Sequence, residues 1–300
     1  MKIFRRNHPS DSQLELNIPQ ETENDRNFSK DGRSFYFFDF DDNIMHLSTK
    51  IVLFHKESGE EKIISSHELA SEGENVGKRG QFVDYKFNYD DQYGSFRYFR
   101  DKDLSYLERL LGKKQSFVAD IAEALQRPDY HWKGPSWKFF HYAVYNRRPV
   151  SIITARGHYP ETICEGIKVL VKRGHLPRIP NYLCIYPVSN KVVRMDLGDS
   201  LFTLSTAQLK KVAIIKSVES AFLKYGNNPH HRFGMSDDDP KNVELIEQAM
   251  IELKKKYNET SFFVIDTHNG GQIKKEIFVD HIEDRQVSGP QFESLSLFDL

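Results

Sequence analysis

The strongest constraint on the fold is the stretch Phe35-Tyr-Phe-Phe-Asp-Phe-Asp-Asp-Asn-Ile44. A short apolar run of this length predicts a strand that is buried on both faces, as in a parallel sheet. The acidic residues at its end would lie at the carboxyl edge of that sheet, where open α/β folds bind ligands. Asp39 and Asp41 are two positions apart and so share one face of the strand. Two carboxylates this close favour a bound cation, because otherwise they repel each other.

The composition narrows the class of protein. The 300 residues include 42 Lys plus Arg against 43 Asp plus Glu, a balance that makes nucleic acid an unlikely partner. Cys164 and Cys184 have neither CxxC nor metal-ligand spacing, which favours a reducing, cytoplasmic location. No stretch reaches the ~18 apolar residues of a membrane span, and the first residues lack the apolar segment of a secretory signal. We therefore expect a soluble protein with no membrane contact.

Four more buried strands are predicted downstream, at residues 149–153, 182–186, 231–235 and 262–265. Helical patterns separate them, at residues 160–173, 207–225 and 242–257. This alternation predicts an α/β fold with a parallel sheet. Roughly a hundred residues separate the first strand from the second, which is too long for one crossover and implies an inserted element.

The chain is therefore expected to have four regions. They are a loosely ordered arm at 1–33, a core domain at 34–47 and 141–270, an inserted region at 48–140, and a peripheral segment at 271–300. Alternating residues at 45–54 and 62–66, on either side of a turn, predict a hairpin within the insert. Residues 273–279 predict an edge strand in the peripheral segment.

Polar clusters follow four of the apolar strands, at residues 39–43, 154–156, 236–242 and 266. If the strands are parallel, these clusters converge on one edge of the sheet, which points to an active site there. The oxygen ligands that Mg²⁺ prefers would come from Asp39, Asp41, and one of Asp237 or Asp238. Thr154 and neighbouring main-chain N–H groups are suited to an anionic oxygen. Lys210 or Lys211, near a helix start, could neutralise a phosphate.

These residues carry a resemblance to a known family. Phe-Phe-Asp39-Phe-Asp41-Asp-Asn43 resembles the first motif of the haloacid dehalogenase (HAD) superfamily, in which an apolar strand leads into Asp-x-Asp. Ser-Ile-Ile-Thr154-Ala-Arg-Gly is similar to the second motif, a Thr or Ser after a buried strand.

Two later stretches extend the resemblance. Gly234-Met-Ser-Asp237-Asp238-Asp-Pro-Lys-Asn242 resembles the acidic fourth motif, and the helix start at 206–211 would hold the third-motif lysine. The motifs stand in the family's order across residues 35–266.

The resemblance implies a three-layer, HAD-like (Rossmann-type) α/β core with a cap inserted after the first strand. It also implies a Mg²⁺-dependent phosphohydrolase acting on a phosphomonoester of a small phosphorylated substrate. Asp39 would be the nucleophile that becomes an aspartyl-phosphate, and Asp41 the general acid and then the general base. Thr154, the backbone at Ala155 and the lysine would bind the phosphoryl oxygens.

The same resemblance implies a metal site. Mg²⁺ would be held by Asp39, the main-chain carbonyl of Asp41, and Asp237 or Asp238. Asp237 is favoured because it follows the strand directly, although Asp238 has the four-residue spacing to Asn242.

One residue departs from the family pattern, and the identity of the third-motif lysine is ambiguous. Asn43 stands where the family has Thr or Val, a position that supports the loop more than the chemistry. Three lysines on one helix compete for the third-motif role, and we rank them Lys211, Lys210, Lys216.

In this family the insert at 48–140 is the cap that selects the substrate. Its aromatic residues are candidates for a pocket lining: Phe96, Tyr98, Phe99, Trp132 and Trp137. We favour the interpretation that they form the core of the insert itself.

The sequence excludes one alternative function and leaves others open. A calcium loop of the EF type is excluded, since Ile44 stands where Gly is required and Lys50 where the bidentate Glu is required. A binding or scaffold module with little turnover is one alternative, but it would not need both Asp39 and Asp41. A phosphotransferase and a phosphatase acting on nucleic-acid ends are the enzyme alternatives, and the neutral net charge counts against the latter.

Overall fold

The computed structural model describes residues 22–268 and 271–286. Within them the strands are β1 (Ser34–Phe38), β2 (Ile51–His55), β3 (Glu61–Ile64), β4 (Tyr85–Lys86), β5 (Pro149–Thr154), β6 (Asn181–Pro187), β7 (Arg232–Asp237), β8 (Ser261–Asp266), β9 (Ile273–Ile277) and β10 (Ile282–Gln286). The α-helices are α1 (Ser66–Glu72), α2 (Tyr106–Leu110), α3 (Ser116–Ala124), α4 (Asp129–Trp132), α5 (Trp137–Tyr145), α6 (Pro160–Lys172), α7 (Lys191–Asp196), α8 (Thr206–Tyr225) and α9 (Pro240–Lys256). Short 3-10 helices lie at Phe28–Lys30, Gly73–Asn75, Gly80–Phe82 and Arg97–Phe99.

Among the described residues, the main sheet has seven strands in the order β10-β9-β8-β7-β1-β5-β6. The five strands from β8 to β6 run parallel to one another, whereas β9 pairs antiparallel with both of its neighbours, β8 and β10. The predicted α/β class with a mostly parallel sheet is confirmed, and each of the five predicted buried strands lies in it.

β1 lies where the strand order reverses. From β1 the chain passes to β5 and β6 on one side and then crosses to β7 and β8 on the other. Open α/β sheets bind ligands outside the carboxyl ends of the strands at such a switch point. Asp39 follows β1, Thr154 ends β5 and Asp237 ends β7, so polar residues of three adjacent strands meet there. We call this end of the sheet the carboxyl edge.

The aromatic run of β1 contributes to the core on both faces of the main sheet. Phe35 and Phe37 pack into one hydrophobic cluster with α8 and α9, and Phe38 packs into another with α3, α5 and α6. Alternate residues of a strand point to opposite faces, so one short run supplies both clusters. Burial of each Phe stabilises the fold by roughly 1.5–3 kcal/mol, which anchors β1 at the centre.

The chain between β1 and β5 has two parts. β2, β3 and β4 form an antiparallel sheet in the order β3-β2-β4, and the β2–β3 pair is the predicted hairpin. Its apolar side chains form a separate cluster, and we call residues 51–99 the small-sheet region. In contrast, α3 packs against α6, and α5 packs against β1 and β5. The expected insert at 48–140 therefore spans the small-sheet region and, at its end, helices that cover the main sheet.

The candidate pocket aromatics divide in the same way. Trp132 and Trp137 are buried in the cluster that covers the main sheet. Phe96 and Phe99 pack against the cluster of the small-sheet region. For these four residues the structure supports a packing role rather than a pocket lining.

The expected loose arm does not fit the described residues that precede β1. The carboxylate of Asp25 accepts hydrogen bonds from the main-chain N–H and hydroxyl of Ser34, both at 2.7 Å. The main-chain carbonyl of Glu23 accepts one from Arg148 at 3.0 Å. Residues 1–21 of the arm, and residues 287–300 of the expected peripheral segment, lie outside the described residues.

At the other end, β9 covers most of the predicted edge strand at 273–279, but β10 rather than β9 stands at the edge of the sheet. In the described part of the chain, no helix has both the length and the apolar character needed to cross a membrane.

Candidate active site

Asp39 stands at the centre of the carboxyl edge. Its main-chain N–H donates a hydrogen bond to the carbonyl of Ser236, at 3.0 Å, which ties the loop after β1 to the neighbouring strand β7. Its carboxylate is buried, with the residue only 6% exposed. The Lys210 ammonium lies 3.0 Å from Oδ1, within ion-pair distance. Even so, no donor of the described residues meets Oδ1 in hydrogen-bonding geometry.

Lys210 connects two strands through their carboxylates. Besides Asp39, it contacts Asp237, to whose Oδ2 it donates a hydrogen bond of 2.8 Å. Burial alone disfavours the charged form of Lys210, but the carboxylates of Asp237 and Asp39 outweigh it and raise its pKa. Lys210 therefore carries a positive charge within the buried part of the site.

Asp237 is fully buried and has donors on both carboxylate oxygens. Lys210 donates a hydrogen bond to Oδ2. Oδ1 accepts hydrogen bonds from the main-chain N–H of Asp239 at 3.0 Å and from Nδ2 of Asn242 at 3.2 Å. The acidic run after β7 thus begins with a carboxylate that is held rigidly in place.

Asp39, Asp237 and Asp238 form a group in which one carboxylate oxygen from each lies within 4.8 Å of the others. Burial, followed by the charges of Asp237, Asp238 and Asp41, raises the pKa of Asp39 well above its ordinary value, against the influence of Lys210. Burial and the neighbouring Asp237 and Asp42 raise the pKa of Asp238 to about 7. One lysine therefore does not offset the repulsion within this group.

These residues fit a small divalent cation. Two oxygens bound to Mg²⁺ at ~2.1 Å lie roughly 3–4 Å apart, close to the spacing of this group. Oδ1 of Asp39, buried without a hydrogen-bond donor, is suited to a metal ligand. All three donors are carboxylate oxygens, the type that Mg²⁺ prefers. Asp237 and Asp238 both belong to the group, so the choice between them that the sequence left open stays open.

Asp41 has a different partner, Arg156, in the loop after β5. Nε of Arg156 donates to Oδ2 of Asp41 at 2.8 Å, and Nη2 donates to Oδ1 at 2.6 Å. The hydroxyl of Thr154 also donates to Oδ2, at a longer 3.4 Å. The structure thus brings Asp41 and Thr154 together, and Ala155 lies exposed between Thr154 and Arg156.

Arg156 is itself fully buried. Its guanidinium carbon lies 4.8 Å from the ring centroid of Phe99 and 4.6 Å from that of Phe117. Nη2 donates to the Thr49 hydroxyl at 2.8 Å, and that hydroxyl donates to Asp120 at 2.6 Å. Two aromatic rings and a relay of hydrogen bonds therefore fix the guanidinium that faces Asp41.

Asn43 joins the loop after β1 to its neighbours. Its Nδ2 group donates to the carbonyl of Asp39 and to both oxygens of Ser236, at 2.9–3.1 Å. Its Oδ1 accepts from the hydroxyls of Ser136, at 2.7 Å, and Thr267, at 3.0 Å. This supports the sequence-based view that the position serves the loop rather than the chemistry.

The structure brings the second-ranked lysine, Lys210, to Asp39 rather than the first-ranked Lys211. Lys211 is paired with Glu252 at 2.9 Å on the outer side of α8. Lys216 donates a hydrogen bond to the main-chain carbonyl of Asp196. Lys210 alone of the three candidates reaches Asp39, because it lies in the buried stripe of α8 with Ala213 and Ser217.

The small-sheet region and the loop after it contact the connections that leave the carboxyl edge. The N–H of Gly157, after β5, donates to the carbonyl of Phe99 at 2.8 Å. Asp101 accepts hydrogen bonds from the start of α6, Asp91 pairs with Lys191 at the start of α7, and Glu74 pairs with Lys241 at the start of α9. The small-sheet region therefore lies over this end of the main sheet.

Sequence reasoning gave no role to Arg156, although it placed 154–156 among the converging clusters. The available signal was an arginine at the same strand end as several acids. Asp266 ends β8, and its Oδ1 accepts a hydrogen bond from the N–H of His268, in the turn that follows, at 3.2 Å.

Comparisons with family models, curated proteins and solved structures give no match for this chain.

Proposed function

We propose that this chain is a Mg²⁺-dependent phosphohydrolase of the HAD type, acting on a phosphomonoester through an aspartyl-phosphate at Asp39. The observation that carries the proposal is the group of Asp39, Asp237 and Asp238, of which the first two are buried and paired with Lys210, at the switch point of a parallel sheet. Phosphoryl transfer needs little beyond positioning and neutralisation of charge, and this group offers both. The first-motif resemblance of residues 35–44 points to the same chemistry.

In this proposal Asp39 attacks the phosphorus atom. A bond forms between one carboxylate oxygen and phosphorus while the bond from phosphorus to the leaving alkoxide breaks. Oδ1 lies 3.0 Å from the Lys210 ammonium but meets no described donor in hydrogen-bonding geometry, so the carboxylate can still bind the metal or attack phosphorus. Bound Mg²⁺, held by Asp39 with Asp237 or Asp238, supplies positive charge that keeps Asp39 ionised and offsets the charge of the phosphoryl group.

Asp41 transfers the protons. In the first step its carboxyl group gives a proton to the leaving alkoxide, and in the second it takes one from the water that attacks the aspartyl-phosphate. The products are the alcohol, inorganic phosphate and the free Asp39 carboxylate. Arg156 holds the Asp41 carboxyl group in position for both transfers through its two contacts.

Lys210 and Thr154 hold the reacting group. Lys210 is charged and already lies against Asp39, so it can offset the charge of a phosphoryl oxygen without moving far. The Thr154 hydroxyl lies on the other side of β1 and can donate to a second oxygen once it leaves Asp41. The small-sheet region above the edge would exclude water and select the alcohol part of the substrate.

The two cysteines are free, which accords with the cytoplasmic location proposed for this activity.

The test is hydrolysis of an aryl phosphate by the full chain, with and without Mg²⁺. Asp39→Asn should lower kcat by about a thousandfold or more, because it removes the nucleophile. Asp31→Asn is the matched control, since Asp31 is exposed and has a positive φ of 55° that Asn tolerates well. Activity that survives in Asp39→Asn contradicts the mechanism.

A panel of phosphomonoesters separates the alternatives. Turnover of small monoesters supports the proposal. Turnover confined to phosphate at nucleic-acid ends favours the nucleic-acid phosphatase, and no turnover across the panel favours a binding module.

A further inference from the structure

A second charged cleft lies far from the carboxyl edge, at the amino ends of β7 and β8. It encloses about 280 Å³, and its walls include Arg26, Arg232, Ser261, Phe263, Lys274 and Glu276. Arg232 begins β7 and Asp237 ends it, so at ~3.3 Å per residue the cleft is roughly 17 Å from the carboxylate group. It is therefore distinct from the site around Asp39.

The cleft lies on one face of the main sheet. Arg232 is in register with Ser261, and Phe263 with Glu276, so these side chains project to the same side. The alternate residues of the same strands, Phe262 and Val264, point to the opposite face and pack in the cluster with α8 and α9. The face that bears Arg232 and Phe263 is thus the one that those two helices leave uncovered.

Positive charge accumulates around Phe263. The Arg232 guanidinium lies 4.9 Å, and the Lys274 ammonium 3.9 Å, from the centre of its ring. The exposed Arg26 adds a third cation, against the single carboxylate of Glu276 in the wall. The balance of the lining favours an anion.

The two arginines lack a carboxylate partner within the described residues. Among these, neither Arg26 nor Arg232 has an acidic oxygen within salt-bridge distance, and the nearby Asp25 is engaged by Ser34 and Arg148. A partly buried guanidinium without a counter-charge is unfavourable. Consistent with this, burial and then the charge of Arg26 lower the pKa of Arg232, despite Glu276 and Asp25.

We propose that this cleft binds a dianionic phosphate group, with Arg232 and Arg26 as its principal ligands. A guanidinium matches the oxygens of phosphate in a two-pronged contact, and two of them with Lys274 nearby offset its charge. The cleft has room for a phosphate group and a small attached group, but not for a large ligand. The same chemistry fits free orthophosphate and the phosphate of a small monoester. The site does not depend on the activity proposed for Asp39.

The test is calorimetric titration of the full chain with orthophosphate, and separately with glycerol phosphate, at constant ionic strength in EDTA. Without a divalent cation the carboxylates around Asp39 repel a dianion, so the titration reports on the cleft. Arg232→Gln and Arg26→Gln should each weaken binding by about tenfold, the loss expected for one charge-assisted contact. Arg178→Gln, in a different cleft beside Arg147, is the control and should bind as the unaltered chain does.

The outcomes separate the sources of phosphate and decide the proposal. Orthophosphate binding alone assigns the site to free phosphate, whereas equal binding of glycerol phosphate assigns it to a phosphorylated metabolite. Absence of binding by either probe overturns the proposal, as does equal affinity in Arg26→Gln and the unaltered chain. Arg26 is exposed, so its replacement keeps the test valid even if Arg232→Gln fails to fold. Arg232→Lys keeps the positive charge but loses the two-pronged contact of the guanidinium, so it should bind phosphate with intermediate affinity.

Discussion

Arg156 donates two hydrogen bonds to the Asp41 carboxylate, from Nε to Oδ2 at 2.8 Å and from Nη2 to Oδ1 at 2.6 Å. The two residues are 115 positions apart and come from the loops after adjacent strands β1 and β5. Two aromatic rings flank the guanidinium. Phe99 packs with the cluster of the small-sheet region, and Phe117 packs with a cluster that covers the main sheet. The proposed acid–base residue is thus positioned by both parts of the molecule.

Arg156→Lys keeps the charge but cannot form the paired contact, so it should leave Asp41 poorly oriented. We expect kcat for an aryl phosphate to fall about 10–100-fold, with KM changed less than about threefold, because the loss affects proton transfer rather than binding. Arg127→Lys, in the exposed helix pair with Glu123, is the matched control. An effect on KM alone would assign Arg156 to substrate binding instead.

Lys210→Met and Lys211→Met test which lysine belongs to the site. Lys210→Met removes the cation that lies against Asp39 and Asp237, so kcat should fall by about a hundredfold or more. Lys211→Met breaks only a partly exposed pair with Glu252 and should change kcat less than about twofold. Steady-state kinetics on the two purified variants, with folding checked by circular dichroism, decides between them. The reverse order of effects would return Lys211 to first place.

The lysine shows why some of the site could not be read from the chain. Lys210 and Lys211 are adjacent, and only the phase of α8 on the sheet decides which one faces inward. The buried stripe of Lys210, Ala213 and Ser217 has helical spacing, so the phase was in principle readable. The two candidates are adjacent residues of the same type, so their identity alone did not distinguish them.

The position of Asp39 was predictable for the opposite reason. An aromatic run followed at once by acids is a local pattern, and a strand that is buried on both faces needs nothing distant to identify it. The convergence of residues 154–156 and 236–242 then follows from parallel strands alone. Strand order, the pairing of Arg156 with Asp41 and the attachment of Glu23 to Arg148 depend on contacts between distant segments, which no local pattern encodes.

Asn43→Ala should destabilise the protein although it is not a proposed catalytic residue. The change removes the acceptor that the buried hydroxyls of Ser136 and Thr267 share, and it removes one of the two donors to the carbonyl of Ser236. We expect a loss of about 2–4 kcal/mol in the free energy of unfolding, measured by urea denaturation. Asn24→Ala, at an exposed position, should cost less than about 0.5 kcal/mol. Equal midpoints for the two variants would show that Asn43 does not tie the strands together.

In EDTA, the contribution of Asp39 and Asp238 to the free energy of unfolding should fall as the pH rises from about 4 to about 7. Burial and Asp237 raise the pKa of Asp238 to about 7, and the pKa of Asp39 is also raised. A carboxyl with a higher pKa in the folded state binds more protons there, so its stabilising effect is complete below its unfolded pKa and is lost as the pH rises through the folded value. Each such group lowers the free energy of unfolding by at most about 1.4 kcal/mol per pH unit.

Mg²⁺ should reverse that loss, because a bound cation favours the ionised carboxylates. At 100 times its Kd it should raise the free energy of unfolding by about 2.7 kcal/mol near pH 7.5. In Asp238→Asn both the fall with pH in EDTA and the gain with Mg²⁺ should shrink. Urea denaturation at pH 5 and 7.5, with EDTA or Mg²⁺, provides the comparison. Identical pH profiles with and without Mg²⁺ would exclude this group as a cation site.

The proposed mechanism requires that Asp39 becomes covalently phosphorylated. To detect this, the protein is quenched in acid during incubation with an aryl phosphate and Mg²⁺, reduced with borohydride, and its peptides are mapped by mass spectrometry. Borohydride converts an acyl phosphate to the corresponding alcohol, so residue 39 should be recovered as homoserine, in a substrate-dependent manner. Steady turnover with residue 39 always recovered as unmodified aspartate, or with the modification at another carboxylate, would exclude Asp39 as the nucleophile.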